Sequence, residues 1–160
     1  MKTAGSVVSI REESSLDTVR LLSDTLKLRT DAPRELYNLT DSVAEVVRRH
    51  GVREGLVIVS SMHTTLGLFV NEWQEALLHD IKEMLNSVIA PNVGYRHDDP
   101  KFSDCDRRNA HAHLQATLLG HTLTFPITHG RLALGQFQAI IAAELDGPRS
   151  REVAIQIIGR

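Results

Sequence analysis

Apolar residues along this chain recur with two periods, and each change of period marks a new element. Residues 18–29 alternate and predict a first strand from Thr18 to Arg29. Asp31-Ala32-Pro33 then signals a turn. Leu39, Val43, Val46 and Val47 repeat at helical spacing, with Thr40 as N-cap candidate and Gly51 as the stop. The unbroken apolar run Leu56–Ser60 predicts a central buried strand. A second strand is expected from Met62 to Val70, with Leu66, Leu68 and Val70 on one face and His63, Thr65 and Gly67 on the other. Leu77, Ile81, Met84, Leu85 and Val88 predict a second helix ending before Pro91. Asn71-Glu72 is expected to cap it, and Asp80 to lie on its surface or at an interface. Residues 91–106 are polar and loop-like, and a loop of that length inside a domain is usually functional or mobile. A third helix is expected from Arg107 to Leu119, stopped by Gly120. Strands Leu123–Ile127, Arg131–Asp146 and Val153–Ile158 follow, separated by turns at His129-Gly130 and Gly147-Pro148. Helices grouped among hairpin-like strands predict an α+β fold of mostly antiparallel or mixed sheet with three helices.

The chain has 160 residues, enough for one compact domain over 19–160 that holds a core without disulfides or structural metal. Residues 1–18 are mixed and polar and are expected to form a loosely attached extension. Aromatics are only 4%, which argues against a base-stacking surface, and the net charge of −2 shows no basic footprint for nucleic acid. No apolar run reaches membrane-spanning length, and no signal-peptide pattern opens the chain, so neither membrane nor nucleic acid is an expected partner and a cytoplasmic location is expected. The single Cys105 excludes an internal disulfide and a Cys-rich zinc site. The 8 histidines change the picture, because imidazole titrates near neutrality and is the commonest metal ligand.

Helical geometry decides which histidines of the third helix can share a site. His111 and His113 lie about 200° apart around the axis, so they cannot face one pocket. Ala110, Leu114, Thr117 and Leu118 are expected to form the packed side, with His113 at one edge near Asn109 and His111 at the other. A polar pocket would then use Asn109 and His113. On the long strand, Phe137, Ile141 and Leu145 point one way, and Gln136, Gln138, Glu144 and Asp146 point the other. Two carboxylates and two amides on a half-buried face either bind something or form a solvated sheet face with ordinary cross-strand pairs, and the second reading ranks slightly ahead.

Five segments together carry a family pattern. These are His63-Thr64-Thr65 before a strand ending in Asn71-Glu72, then His97-Asp98 in the long loop, then Asn109 and His113 before Leu118-Leu119-Gly120. Gly130-Arg131-Leu132 leading into Leu134-Gly135-Gln136-Phe137-Gln138, and Glu144-Leu145-Asp146-Gly147-Pro148-Arg149, complete the set. In this order they resemble the YjbQ-like family over about residues 24–159, whose members are described as secondary thiamine-phosphate synthases. The chain departs from the family at Gln136-Phe137, where Thr-Trp is usual, and in its N-terminal extension.

The resemblance implies a YjbQ-like fold, a homotrimer, and a divalent metal held by His63, His97 and His113. Three imidazoles suit zinc and leave a coordination position open, whereas a pyrophosphate substrate would also call for magnesium. Glu144 and Asp98 are the expected catalytic groups, orienting imidazoles or moving a proton. Arg149, and less directly Arg151, would hold phosphate, with Asn109 and Gln138 as further substrate contacts. The implied reaction joins a pyrimidine pyrophosphate to a thiazole phosphate. Two alternatives stand beside it: a metal-dependent hydrolase of a small ester or phosphoester, and a non-catalytic trimer that binds a metal or small ligand. Without the resemblance, His63 would more often be a satisfied core histidine, His97 could be a loop ion-pair partner of Asp98, and His113 a packing edge; with it, metal ligation by all three together is the favoured reading. His50, His79, His111, His121 and His129 are read as structural or solvated.

Overall fold

A computed structural model describes residues 18–160, so the expected N-terminal extension lies, but for Thr18, outside the described residues. Among the described residues, eight strands form two antiparallel sheets. The larger is built from β1 (Arg20–Arg29), β3 (Gly55–Ser61), β5 (Thr122–Thr128), β6 (Arg131–Leu132) and β8 (Ser150–Gly159), in the order β1-β8-β3-β5-β6. The smaller holds β2 (Glu35–Asn38), β4 (Leu66–Asn71) and β7 (Ala139–Glu144), in the order β2-β7-β4. Three helices complete the α+β domain: α1 (Thr40–His50), α2 (Glu75–Val88) and α3 (Ala110–Leu119). No helix among the described residues is long and apolar enough to cross a membrane.

Period-two alternation explains how the sheets meet. Arg151, Val153, Ile155 and Ile157 of β8 are all buried, with exposed or half-buried residues between them. Ile140 and Ala142 of β7 join Val153, Ile155 and Ile157 in one core with Val57 and Val59 of β3 and Val43, Val46 and Val47 of α1. The other face of β7 presents Ala143 to Ala112 and Ala116 of α3. Strand β7 is therefore covered on both sides. That is why it reads as a continuous apolar run, Ala139 to Ala143, rather than an alternating one.

The periodic elements lie where the pattern placed them. Gly51 ends α1 at φ 65°, a left-handed position that glycine takes without steric cost. Several readings change. Leu39, not Thr40, is the N-cap of α1, and the Thr40 hydroxyl instead accepts the Ile140 N–H at 2.9 Å. The third helix starts at Ala110, not Arg107. The expected strand from Met62 begins only at Leu66, because residues 62–65 form a bend. The expected strand from Arg131 to Asp146 is two short strands split by a loop at 133–138. Gln74, not Asn71-Glu72, caps α2, its side chain accepting from the Leu77 N–H at 2.7 Å. The packed side of α3 is Ala110, Ala112, Gln115 and Ala116, whereas Leu114 and Leu118 face solvent. Helix α3 meets β4 at Gly67, where an added Cβ would stand 2.9 Å from Leu119, so the glycine leaves room for that side chain.

Candidate functional site

Beyond β7 the chain turns through Asp146 and Gly147-Pro148 into β8, and this corner anchors the site. Asp146 accepts a bidentate pair from Arg107, Nε at 3.1 Å and Nη2 at 3.0 Å. It also accepts from Asn109 Nδ2 at 2.8 Å and pairs with Arg149 Nη2 at 3.1 Å. Burial works to raise the Asp146 carboxyl, but the hydrogen bonds from Arg107 and Asn109 and the two guanidinium charges hold it below its ordinary value. One carboxylate thus serves two guanidiniums, so Arg107 and Arg149 share a single ion-pair partner.

The histidines come from three separate elements. His63 sits in the bend before β4, where Ser61 Oγ donates to the His63 carbonyl and accepts its N–H. Its ring Nε2 accepts the Glu152 N–H at 2.8 Å. In the neutral ring this places the proton on Nδ1, so His63 is a donor there. His97 lies in a single 3-10 turn, Arg96–Asp98, and His113 lies in the first turn of α3. Their rings meet edge to face with centroids 5.0 Å apart. Burial, followed by the charges of Arg151 for His63 and of His97 for His113, pushes both His63 and His113 below the usual histidine value, so both are neutral at pH 7.

All three histidines line one cavity of about 430 Å³, together with Thr64, Thr65, Arg107, Asn109, Asp146, Arg149 and Arg151. The pairing of Asn109 with His113 holds, and His111 lies outside this cavity, as the helical angle requires. One His111 ring nitrogen and one of His121 are buried without a hydrogen-bond partner. His50 pairs with Asp24, and His129 with Glu54.

Other expected residues take different places. Glu144 is fully buried, and both its oxygens are committed inside the protein. Oε1 accepts from Arg151 Nη2 at 2.5 Å and the Asp146 N–H at 2.9 Å, and Oε2 accepts from Arg151 Nε at 2.7 Å and the Thr30 hydroxyl at 3.0 Å. It does not line the histidine cavity, so the expected proton shuttle gives way to a buried ion pair. Asp98 accepts the Ala110 N–H at 2.9 Å and so caps α3 instead of reaching into the cavity. Gln138 is exposed in the loop before β7, its Oε1 held by the Gly135 N–H at 2.8 Å, and it does not line the histidine cavity. Arg107 went unnoticed in the sequence, since its partner Asp146 lies 39 residues away and no local pattern joins them.

The match to known proteins over most of the chain settles the family. The model described as "UPF0047 protein YjbQ-like" matches residues 24–160. The chain belongs to the UPF0047 YjbQ-like family. A UPF0047 protein of Archaeoglobus fulgidus is 40% identical over 133 residues, covering 83% of this chain and 98% of the relative. One from Methanothermobacter thermautotrophicus is 36% identical over 142 residues, covering 89% and 95%. A crystal structure of a YjbQ-like protein of unknown function from Sulfolobus solfataricus superposes with TM-score 0.82 at 32% identity, covering 89% of this chain and all of that one. These findings correct the expected function. The relatives are named only as UPF0047 proteins, with no thiamine-phosphate synthesis attached. No group of three or more His, Cys, Asp or Glu among the described residues is arranged to hold a metal ion. His63 explains part of this, because the backbone N–H of Glu152 already occupies its Nε2 lone pair. The synthase with a histidine-bound metal is therefore set aside.

Proposed function

We propose that this UPF0047 protein binds a small anion, a phosphate monoester in the first instance, and holds a neutral imidazole beside it for proton transfer. The observation that carries this reading is the sharing of Asp146 between Arg107 and Arg149 at the wall of the histidine cavity. Two guanidiniums sharing one carboxylate attract an anion, and their planar forks match phosphate oxygens. Arg151 adds no net charge, because Glu144 neutralises it. Asn109 and the Nδ1–H of His63 are further donors. His113, neutral and with no hydrogen bond to hold its ring, is the proton acceptor.

Calorimetric titration of the purified protein with methyl phosphate tests this reading. Arg149→Gln is expected to weaken binding at least tenfold, the effect of losing one charge-assisted hydrogen bond of about 1.5–3 kcal/mol. Absence of binding at millimolar ligand, or equal affinity in the variant, would refute it.

A further inference from the structure

A second cavity adjoins the first. Tyr95, Arg96, His97, Ala110, His113 and Leu114 enclose about 350 Å³. His97 and His113 line both spaces, so their edge-to-face pair forms a partition between them. The two sides differ in chemistry. On the first side stand three guanidiniums, Asn109 and Asp146. On the second, Arg96 is the one residue with a permanent charge. The Tyr95 hydroxyl donates to the Ala90 carbonyl at 3.0 Å, and the Arg96 guanidinium lies 5.4 Å from the centroid of the Phe102 ring. What remains is the Tyr95 ring, the Ala110 methyl and Leu114, which leaves 43% of its surface to solvent.

We propose that the ligand of this site has two parts: an anionic head in the arginine-lined cavity and an apolar body, about one ring in size, between Tyr95 and Leu114. The inference rests on the anion-binding reading above and adds the class of ligand. The joint between head and body would pass His97 and His113, which places the His113 imidazole beside the bond linking them. The volume suffices, since a cavity of about 150 Å³ lined by apolar side chains accepts benzene. The orientation follows from the number of donors, because the arginine-lined side offers an anion Arg107, Arg149, Asn109 and the Nδ1–H of His63 together, whereas the Leu114 side offers Arg96 alone.

The test compares methyl phosphate with phenyl phosphate, which share the head and differ in the body, by titration calorimetry on the full chain. Phenyl phosphate is expected to bind at least tenfold more tightly, as burial of most of an aromatic ring implies. Leu114→Asn should bring that ratio towards one. Leu114 is exposed, so the variant should stay folded, and its thermal melt checks this. Equal affinity for the two esters, or a ratio that Leu114→Asn leaves intact, would overturn the apolar subsite while the anion reading stands. Binding of neither ester would overturn both.

Discussion

Replacing Glu144 by glutamine removes one charge and almost no volume, so its effect isolates the buried ion pair. Both oxygens of Glu144 accept from two donors each: Oε1 from Arg151 Nη2 and the Asp146 N–H, Oε2 from Arg151 Nε and the Thr30 hydroxyl. Whichever way the new amide is turned, its N–H₂ points at an Arg151 N–H. The guanidinium, only 2% exposed, then keeps its charge without a counter-ion. Breaking such a pair from one side costs about 3–5 kcal/mol, against a total domain stability of about 5–15 kcal/mol. With a urea slope of about 2 kcal/mol/M, the unfolding midpoint of Glu144→Gln should fall by about 1.5–2.5 M. Urea titration followed by circular dichroism, at one protein concentration, measures it. The double variant Glu144→Met/Arg151→Met, which leaves no orphaned charge, should recover most of the loss. Acid provides a second readout. Burial works to raise the Glu144 carboxyl, but the Arg151 hydrogen bonds, the Asp146 N–H and the Thr30 hydroxyl together hold it below its ordinary 4.5. A lowered folded-state value means stability that is fully present above pH 4.5 and is lost as pH falls through the folded value. Wild type and Glu144→Gln should therefore converge in stability on acidification. A midpoint for Glu144→Gln within about 0.5 M of wild type at pH 7 would refute the reasoning.

Two further outcomes follow from the same geometry. In ¹H–¹⁵N spectra His63 and His113 should titrate below the ordinary 6.5, because burial disfavours their cations; since the unfolded chain takes up those protons first, stability should decline as pH drops from 6.5 towards the folded values, and midpoints at or above 6.5 would contradict this. Asp98→Ala removes the acceptor for the Ala110 N–H at the start of α3 and should lower stability by about 0.5–2 kcal/mol, seen as a lower melting temperature, whereas an unchanged melt would remove Asp98 from its capping role.

What the sequence determined by itself was local. Repeats of 3.6 and 2 residues are written into each segment, so α1, α2, β3 and β8 could be read directly. The angle between His111 and His113 was also legible, because helical geometry alone sets it. Tertiary structure decided the rest, for steric and electrostatic reasons. The sequence put Leu114 and Leu118 on the packed side of α3, yet Ala110, Ala112, Gln115 and Ala116 take that side, and Leu119 is the side chain that meets Gly67 of β4. Glu144 had the composition of a catalytic acid, and only the facing of β7 against β8 set Arg151 beside it and turned it into a structural ion pair. The convergence of His63, His97 and His113 belongs to the same category. Each imidazole sits on its own element, and no local rule states that a bend, a 3-10 turn and a helix start will open on one cavity. Contacts between distant residues depend on how the faces of the elements stack, and one chain read in order carries no direct record of that stacking.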